Sequence, residues 1–316
     1  MVQRIAEFED EAQQVLTMAA FLEYHQLEAY SIYETTGRSW SRLCSEAGKR
    51  KAWIEPDEDR LTKGLLRLAH ADSPSFLHFI IDALEGDMNL SQSESPFAVM
   101  LWCDVWQTPS DRAMCSSWQQ VIEIFARNPT MRAEYLELAK WCLDHVSISS
   151  QPMRLSFGSA LELHRLYLRD ELLAGLGYYS WERQPSQREG VLRLKDKNCD
   201  VLLVTLNKSE KDYSESTMYR DYAISDRLFH WQSQSTVSET SPTGQRYIHQ
   251  VELQRTVLLF VRENKELHGI GAPYYYLGPA TFVESTGSHP MNIVWELQYP
   301  MPARLCMVTK TLVVSE

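Results

Sequence analysis

The segment from Asp200 to Arg246 carries side chains that could bind a flat, polar ligand. It mixes amides, hydroxyls and charged groups with aromatic rings, which are Tyr213, Tyr219, Tyr222, Phe229 and Trp231. A surface loop seldom needs so many rings, and a buried core seldom tolerates so many polar tips. A site that stacks a ligand and hydrogen-bonds its edge needs both kinds of group. The composition therefore predicts a binding site for a planar group such as a nucleobase.

Within this segment, the run from Phe229 to Gln234 has the clearest pattern. Alternate residues of an extended chain share a face, so Phe229, Trp231 and Ser233 are expected to lie together. One interpretation places the two rings in a domain core. The other makes Trp231 one wall of a base-sized slot, since stacking a base on an aromatic ring contributes about 1–3 kcal/mol. The predicted base-binding residues are Tyr222, Phe229, Trp231, Asp221, Ser233 and Gln234.

The net charge of −11 is distributed unevenly along the chain. Residues 1–150 hold 13 Lys and Arg against 23 Asp and Glu, whereas the remaining residues hold 18 against 19. A polyanion is therefore expected to bind the second half, where cations do not face a negative field. The overall acidity argues against a general nucleic-acid coat and leaves room for a focused site. The predicted phosphate contacts are Asn207, Lys208, Lys211, Arg220 and Arg246.

The signatures of several enzyme classes are absent from the sequence. It has no G-x-x-x-x-G-K-[ST] phosphate loop and no G-x-G-x-x-G, G-x-S-x-G or H-E-x-x-H motif. Asp200, Glu210, Lys211 and Asp212 approach the composition of a metal-dependent nuclease. However, adjacent residues of a strand point to opposite faces, which separates Glu210 from Lys211. We therefore predict a protein without catalytic residues, metal or cofactor of its own, and keep a nuclease as the less favoured alternative.

The first half of the chain has the hydrophobic pattern of helices. Up to about residue 175, apolar residues recur at spacings of three and four, and proline-containing segments such as Ser73-Pro74 mark helix starts. The segment from Leu161 to Leu176 is predicted as the last helix, with Gly177 ending it. The sequence therefore predicts an all-helical domain over residues 1–177.

The second half has the pattern of strands. Short β-branched segments predict strands at 201–206, 256–261, 274–277, 293–297 and 305–314. Turn residues separate them, and one or two helices are expected as insertions. Residues 190–316 are therefore predicted to form a small, mostly antiparallel β-barrel, which makes the chain an α+β protein.

Further features bear on the compartment. The six cysteines are scattered without metal-ligand spacing and are expected to be buried small hydrophobes. No apolar run approaches the roughly 20 residues of a membrane span. The charged first ten residues contain no export signal. These features predict a cytoplasmic protein that does not bind membranes.

Several segments resemble a known family. They include LLVTLNKSEKDYSESTMYRDYAISDRLFHWQSQST, SPTGQRYIH, VLLFVRENK, YYYLGPATFV and HPMNIVWELQYPMPARL. They are similar to the C-terminal domain of unknown function that closes a group of bacterial restriction helicases. Those proteins carry a phospholipase-D-like nuclease and a superfamily 2 helicase upstream. The helical half resembles the preceding segment of the same proteins through SWSRLCSEAG and LELHRLYLRDELLAGLG.

The resemblance implies a module of SauUSI-like, modification-dependent restriction enzymes. In these, the C-terminal domain is similar to SRA and other PUA-like barrels, which flip a modified base such as 5-methylcytosine into an aromatic pocket. The implied partners are modified duplex DNA and the helicase and nuclease domains, in cis or in trans. The helicase motifs and the H-x-K-x4-D nuclease signature are missing here, so the chain is not expected to cut or unwind DNA unaided. A protein-interaction scaffold that docks onto a partner helicase is the alternative from a different class.

Overall fold

The computed structural model describes residues 1–86, 95–146, 153–186, 189–207 and 221–310. The chain divides into two compact units. The helical unit contains Met1–Ser149, Leu166–Pro185 and His268–Ile270, and the sheet unit contains Ser150–Arg165, Ser186–Leu267 and Gly271–Glu316. The protein is thus of mixed α and β structure, with helices in the N-terminal half and a sheet in the C-terminal half.

The helical unit is built from short helices that begin at polar caps. The side chains of Thr17, Ser39 and Ser117 each accept a hydrogen bond from a backbone N–H of the helix that follows. Proline occupies the first turn of other helices, as Pro74 and Pro129 do, where its missing N–H costs nothing. The elements are α1 Val2–Ala12, α2 Met18–His25, α3 Tyr30–Thr36, α4 Trp40–Glu46, α5 Glu58–Leu68, α6 Pro74–Glu85, α7 Pro96–Val105, α8 Pro109–Arg112, α9 Trp118–Arg127, α10 Pro129–Asp144, strand β1 Leu166–Tyr167 and α11 Arg169–Gly175.

Large aromatic side chains fill the core of this unit. Trp40, Trp102, Trp106 and Trp118 are almost completely buried.

In the described part of the chain, no helix is both long enough and apolar enough to cross a membrane. The six cysteines are buried and unpaired with one another, and burial raises the pKa of Cys44 and Cys142 to about 12. They act as small apolar groups of the core, as the sequence predicts.

The predicted helix from Leu161 to Leu176 is wrong over its first half, because α11 begins only at Arg169. Before it, the backbone N–H of His164 donates to the carbonyl of Tyr276, and the N–H of Tyr276 donates to the carbonyl of Arg165. These bonds hold residues 164–165 outside a helix. The end of the helix is as predicted: Gly177 has a φ of 67°, and the next N–H, of Tyr178, donates to the carbonyl of Leu173.

The sheet unit contains a mostly antiparallel sheet. The remaining elements along the chain are β2 Val191–Leu194, a 3-10 helix Lys195–Lys197, β3 Cys199–Thr205, β4 Tyr222–Ala223, β5 Leu228–Gln232, α12 Pro242–Ile248, β6 Thr256–Arg262, β7 Glu266–Leu267, β8 Ile270–Gly271, β9 Tyr274–Thr286, β10 Asn292–Leu297 and α13 Ala303–Lys310. The strands pair in the order β2-β3-β6-β9-β10-β5-β4, and the β3–β6 pair is parallel. Among the described strands this order does not close, so the predicted barrel is not confirmed.

The core of the sheet unit lies against α12. Tyr247 of this helix packs edge-on against Trp231 of β5 and Trp295 of β10, with ring centroids 5.5 and 6.1 Å apart.

The predicted strand at 305–314 is wrong, because residues up to Lys310 form helix α13. The N–H of Cys306 donates to the carbonyl of Pro302, and the neighbours Leu305 and Cys306 are both buried. Adjacent residues share one buried side in a helix and not in a strand.

Candidate nucleic-acid interface

Phe229 and Trp231 lie on the buried face of β5. Their relative exposures are 0% and 5%, and the residues on either side of them are half-buried, which matches the predicted alternation. Trp231 contacts Tyr247 and Trp295 within the core. A base could stack on Trp231 only after this core opens. In this structure both rings are core residues, and their role in a base slot stays a prediction.

The polar residues that were predicted to recognise a base edge form hydrogen bonds with neighbouring protein groups. The Asp221 carboxylate accepts a hydrogen bond from the N–H of Gln232 at 2.9 Å. The Ser233 hydroxyl accepts from the N–H of Met291, also at 2.9 Å, and donates to the carbonyl of Gln234. The Gln234 amide in turn donates to Glu189 at 3.1 Å. Asp221 and Ser233 are buried, so in this structure they tie strands together and do not face solvent.

Tyr222 is the predicted base-binding ring that reaches the surface. It pairs in register with His230 across β4 and β5, and the two rings stack with centroids 4.6 Å apart and an angle of 17° between their planes. Both are half-buried, on the face of β5 opposite Trp231. On the same face, the Gln232 amide donates to Asn292 at 2.8 Å. The structure thus places Tyr222 on the other side of the sheet from Phe229 and Trp231.

The predicted phosphate contacts do not form one described group. Lys208, Lys211 and Arg220 lie outside the described residues, as do Glu210 and Asp212 of the nuclease alternative. Asn207 follows β3, and its amide donates to the side chain of Asn264 at 3.0 Å. Arg246 lies on α12 and joins a cluster of charges that the sequence did not reveal.

This cluster surrounds Asp200, a fully buried carboxylate on the apolar strand β3. One of its oxygens accepts hydrogen bonds from the Nε atoms of Arg246, at 3.0 Å, and Arg255, at 2.5 Å. Arg255 also donates to the Asn198 side chain. A buried carboxylate needs such partners, since an unpaired charge in the core costs several kcal/mol. Within the described part of the chain, Asp200 does not belong to any group of three or more His, Cys, Asp and Glu residues that could hold a metal ion.

An open cleft of about 680 Å³ lies beside this cluster. Its cations are Arg193, Arg246 and Arg255, and its remaining lining residues are Asn198, Pro242, Gln245, His249, Glu252 and Leu253. Arg193 is exposed, whereas the side chains of Arg246 and Arg255 are 14% and 6% exposed. Three guanidinium groups face two carboxylates, Asp200 and Glu252, so the cleft carries excess positive charge in an acidic protein.

The charge cluster around Asp200 also affects two neighbouring residues of α12, Arg246 and Tyr247. Burial raises the pKa of the Tyr247 phenol, and the negative charge of Asp200 raises it further. Both effects favour the neutral phenol of Tyr247, which lies in the core of the sheet unit. Arg246 lies over its ring, with the guanidinium carbon 5.3 Å from the ring centroid. This contact and the bond to Asp200 fix the direction of the Arg246 side chain.

Arg193 and Arg255 are site residues that the sequence reasoning missed. A signal was present in CDVLLVT, residues 199–205, where Asp200 is the single acid of an otherwise buried strand. Acids are almost never fully buried without a cation, so this residue alone predicts an arginine or lysine partner. The pattern does not say which cation that is.

Comparison with known families gives a match over a part of the chain that contains the cleft. Residues 161–307 match a domain of unknown function (DUF3427). No curated protein matches the chain. The matched residues include every residue that lines the cleft, so the cleft lies within the part of the chain that is similar to this domain.

Proposed function

We propose that the sheet unit is the DNA-binding module of a modification-dependent restriction system. The observation that carries the proposal is the arginine cleft, in which Asp200 orients two guanidinium groups without neutralising both. Guanidinium groups suit phosphate oxygens, because their planar set of donors matches the geometry of the anion. We assign the module a binding role and no catalytic one.

Phosphate binding in this cleft starts with the accessible arginines. Arg193 is exposed at the cleft and Arg246 is held by Asp200 with part of its side chain open to solvent. Arg255 adds positive charge from a more buried position. Such contacts fix the register of a protein on duplex DNA and make its affinity fall as salt rises.

The base-reading part of the proposal rests on the family resemblance. It gives the sheet unit a PUA/SRA-like barrel that reads a modified base such as 5-methylcytosine, with helicase and phospholipase-D-like nuclease domains as partners in cis or in trans. Tyr222 supports stacking as it stands, because the residue is only half-buried and its ring already stacks on His230. Trp231 supports it only if binding opens the core that now covers the ring.

The first test compares matched duplexes with and without 5-methylcytosine, using the full chain and its Arg246→Gln variant. We expect Arg246→Gln to weaken binding to both duplexes by about 1.5–3 kcal/mol, because a charge-assisted hydrogen bond is lost. It should also reduce the salt dependence by about one counterion. Arg304→Gln is the matched control, since Arg304 is exposed on α13 and does not line the cleft.

Two results would contradict the proposal. Equal losses for Arg246→Gln and Arg304→Gln would remove the cleft from DNA binding. Indifference of the full chain to both duplexes, together with co-purification with a helicase, would favour the protein-interaction scaffold. Preference for the 5-methylcytosine duplex would support the base-reading part separately.

A further inference from the structure

The loop at residues 249–254, between α12 and β6, exposes two aliphatic side chains beside the arginine cleft. Val251 is 61% exposed and Leu253 is 51% exposed, and Leu253 lines the cleft itself. Single exposed aliphatic residues are common on protein surfaces. A pair of them in one short loop next to a basic cleft is a feature that a binding partner would explain.

The loop backbone is held in place by hydrogen bonds. The N–H of Leu253 donates to the carbonyl of His249, and the N–H of Gln254 donates to the carbonyl of Val251, each at 2.9 Å. The Asn198 side-chain amide donates to the carbonyls of Leu253 and Gln254, both at 3.1 Å. The two aliphatic side chains are therefore presented by a fixed backbone, which lowers the entropy cost of using them in a contact.

The same contacts connect the loop to the arginines. Asn198 bonds the loop with its amide nitrogen and accepts from Arg255 with its oxygen. Arg255 in turn bonds Asp200, which also holds Arg246. The one acid within the loop, Glu252, bonds the His249 ring at 2.8 Å. Cations and aliphatic groups thus share one supporting network.

We infer that the 249–254 loop is an apolar wedge, through which Leu253 and Val251 contact the bases of duplex DNA while the arginines bind its phosphates. The inference rests on the proposed function. Charge complementarity selects the occupant, because a ligand of this cleft must be anionic. Duplex DNA also offers apolar surface in the faces and edges of its bases, and proteins insert Leu, Ile and similar side chains at base steps.

The test measures binding and base unstacking together on a short duplex that carries 2-aminopurine, whose fluorescence rises when the base loses its neighbours. The full chain is compared with its Val251→Asn/Leu253→Asn double variant. We expect binding to fall about five-fold, as roughly half of a leucine side chain no longer leaves water. The fluorescence rise at saturation should disappear, and the salt dependence should stay at the level of the unmodified chain because the arginines remain.

Val283→Asn is the matched control, because Val283 is 47% exposed on β9 and does not line the cleft. It should bind and unstack the duplex like the unmodified chain, and equal melting temperatures would show that both variants are folded. Unchanged affinity and fluorescence for the double variant would overturn the wedge. If Arg246→Gln still weakened binding in that case, the proposed function would survive without it. Loss of a helicase partner by the double variant, with DNA binding intact, would also overturn the wedge.

Discussion

Each unit of the protein buries a cluster of acids and arginines, and the two clusters differ in charge balance. In the helical unit, Asp104, Asp170 and Glu171 lie with Arg67, Arg112 and His70, so acids and bases are equal in number. In the sheet unit, the single carboxylate of Asp200 lies with the two guanidinium groups of Arg246 and Arg255. The second cluster has excess positive charge and adjoins a cleft. Buried charge by itself therefore says little about a ligand, whereas unbalanced charge next to an opening indicates one.

In the helical unit's cluster, neighbouring charged groups shift one another's pKa values. Burial raises the pKa of Asp104 well above its ordinary value, and the neighbouring charge of Glu171 raises it further. Burial also acts to raise the pKa of Glu171, but the charge and hydrogen bond of His70, together with hydrogen bonds from Asp104 and Leu168, lower that pKa. The protonated form of Asp104 is thus favoured beside an ionised Glu171. Protonation of Asp104 leaves one negative charge fewer for α7 and α11 to bury.

The largest expected effect comes from removing the centre of the unbalanced cluster. Asp200→Ala leaves two nearly buried guanidinium groups without their carboxylate. We expect a loss of about 3–5 kcal/mol in the free energy of unfolding, because breaking a buried ion pair strands its partner. Urea unfolding of the full chain measures this loss, and hydrogen exchange assigns it to β3 and α12.

Asp196→Ala is the control for this change, since Asp196 is exposed in the 3-10 helix just before β3. It should alter the stability by no more than about 0.5 kcal/mol. A loss below about 1 kcal/mol for Asp200→Ala would show that the two arginines find other partners. The two clusters would then not differ in the way that their charge balance predicts.

A smaller effect is expected from pH on the balanced cluster. Burial lowers the pKa of His70, but Glu171, at 3.1 Å, and Asp72 outweigh it and hold that pKa above its ordinary value of 6.5. A raised folded pKa gives stability that is fully present below pH 6.5 and is lost as pH rises through the folded pKa. The lowered pKa of Glu171 gives stability that is present above pH 4.5 and is lost as pH falls through its folded pKa.

The prediction is tested by measuring urea unfolding between pH 4.5 and 6.5 and again above pH 6.5. Between pH 4.5 and 6.5, His70→Gln should cost about 1.5–3 kcal/mol, because a charge-assisted hydrogen bond is lost. The cost should shrink as pH rises beyond the folded pKa of His70. His78→Gln, at an exposed position on α6, serves as the control and should leave the curve unchanged. A cost for His70→Gln that is independent of pH would mean that the ring is only a packing group.

Local rules predicted much of the fold. The alternation in residues 229–232 correctly separates buried from half-buried positions on β5, because a strand has a period of two. Helix starts at Ser73-Pro74 and the end at Gly177 also follow from backbone chemistry within a few residues. The two wrong elements lie at 161–168 and 305–310, where hydrophobic periodicity did not distinguish helix from strand or loop. At 164–165, backbone hydrogen bonds to the distant Tyr276 hold the chain outside a helix.

The candidate site was less predictable for the same reason. Arg246 and Arg255 lie 46 and 55 residues from Asp200 along the chain, and no local pattern joins them. Ring-rich composition favoured Phe229 and Trp231 as ligand groups. However, large rings are also the best core formers, and the sequence does not distinguish these uses. An acid within an apolar strand was the more specific signal, because its burial demands a partner.

The smallest expected effect tests the excess charge of the cleft directly. Glu252 is the exposed acid among the lining residues, with a side chain that is 76% exposed. Glu252→Gln removes its negative charge and keeps a side-chain oxygen that can accept a hydrogen bond from His249. We expect the affinity for duplex DNA to rise about two-fold at low salt, because an exposed charge contributes little, and to approach the unmodified value at high salt. Glu263→Gln, at an exposed acid after β6 that does not line the cleft, is the control. An equal gain for both variants would mean that overall charge, and not the cleft, governs binding.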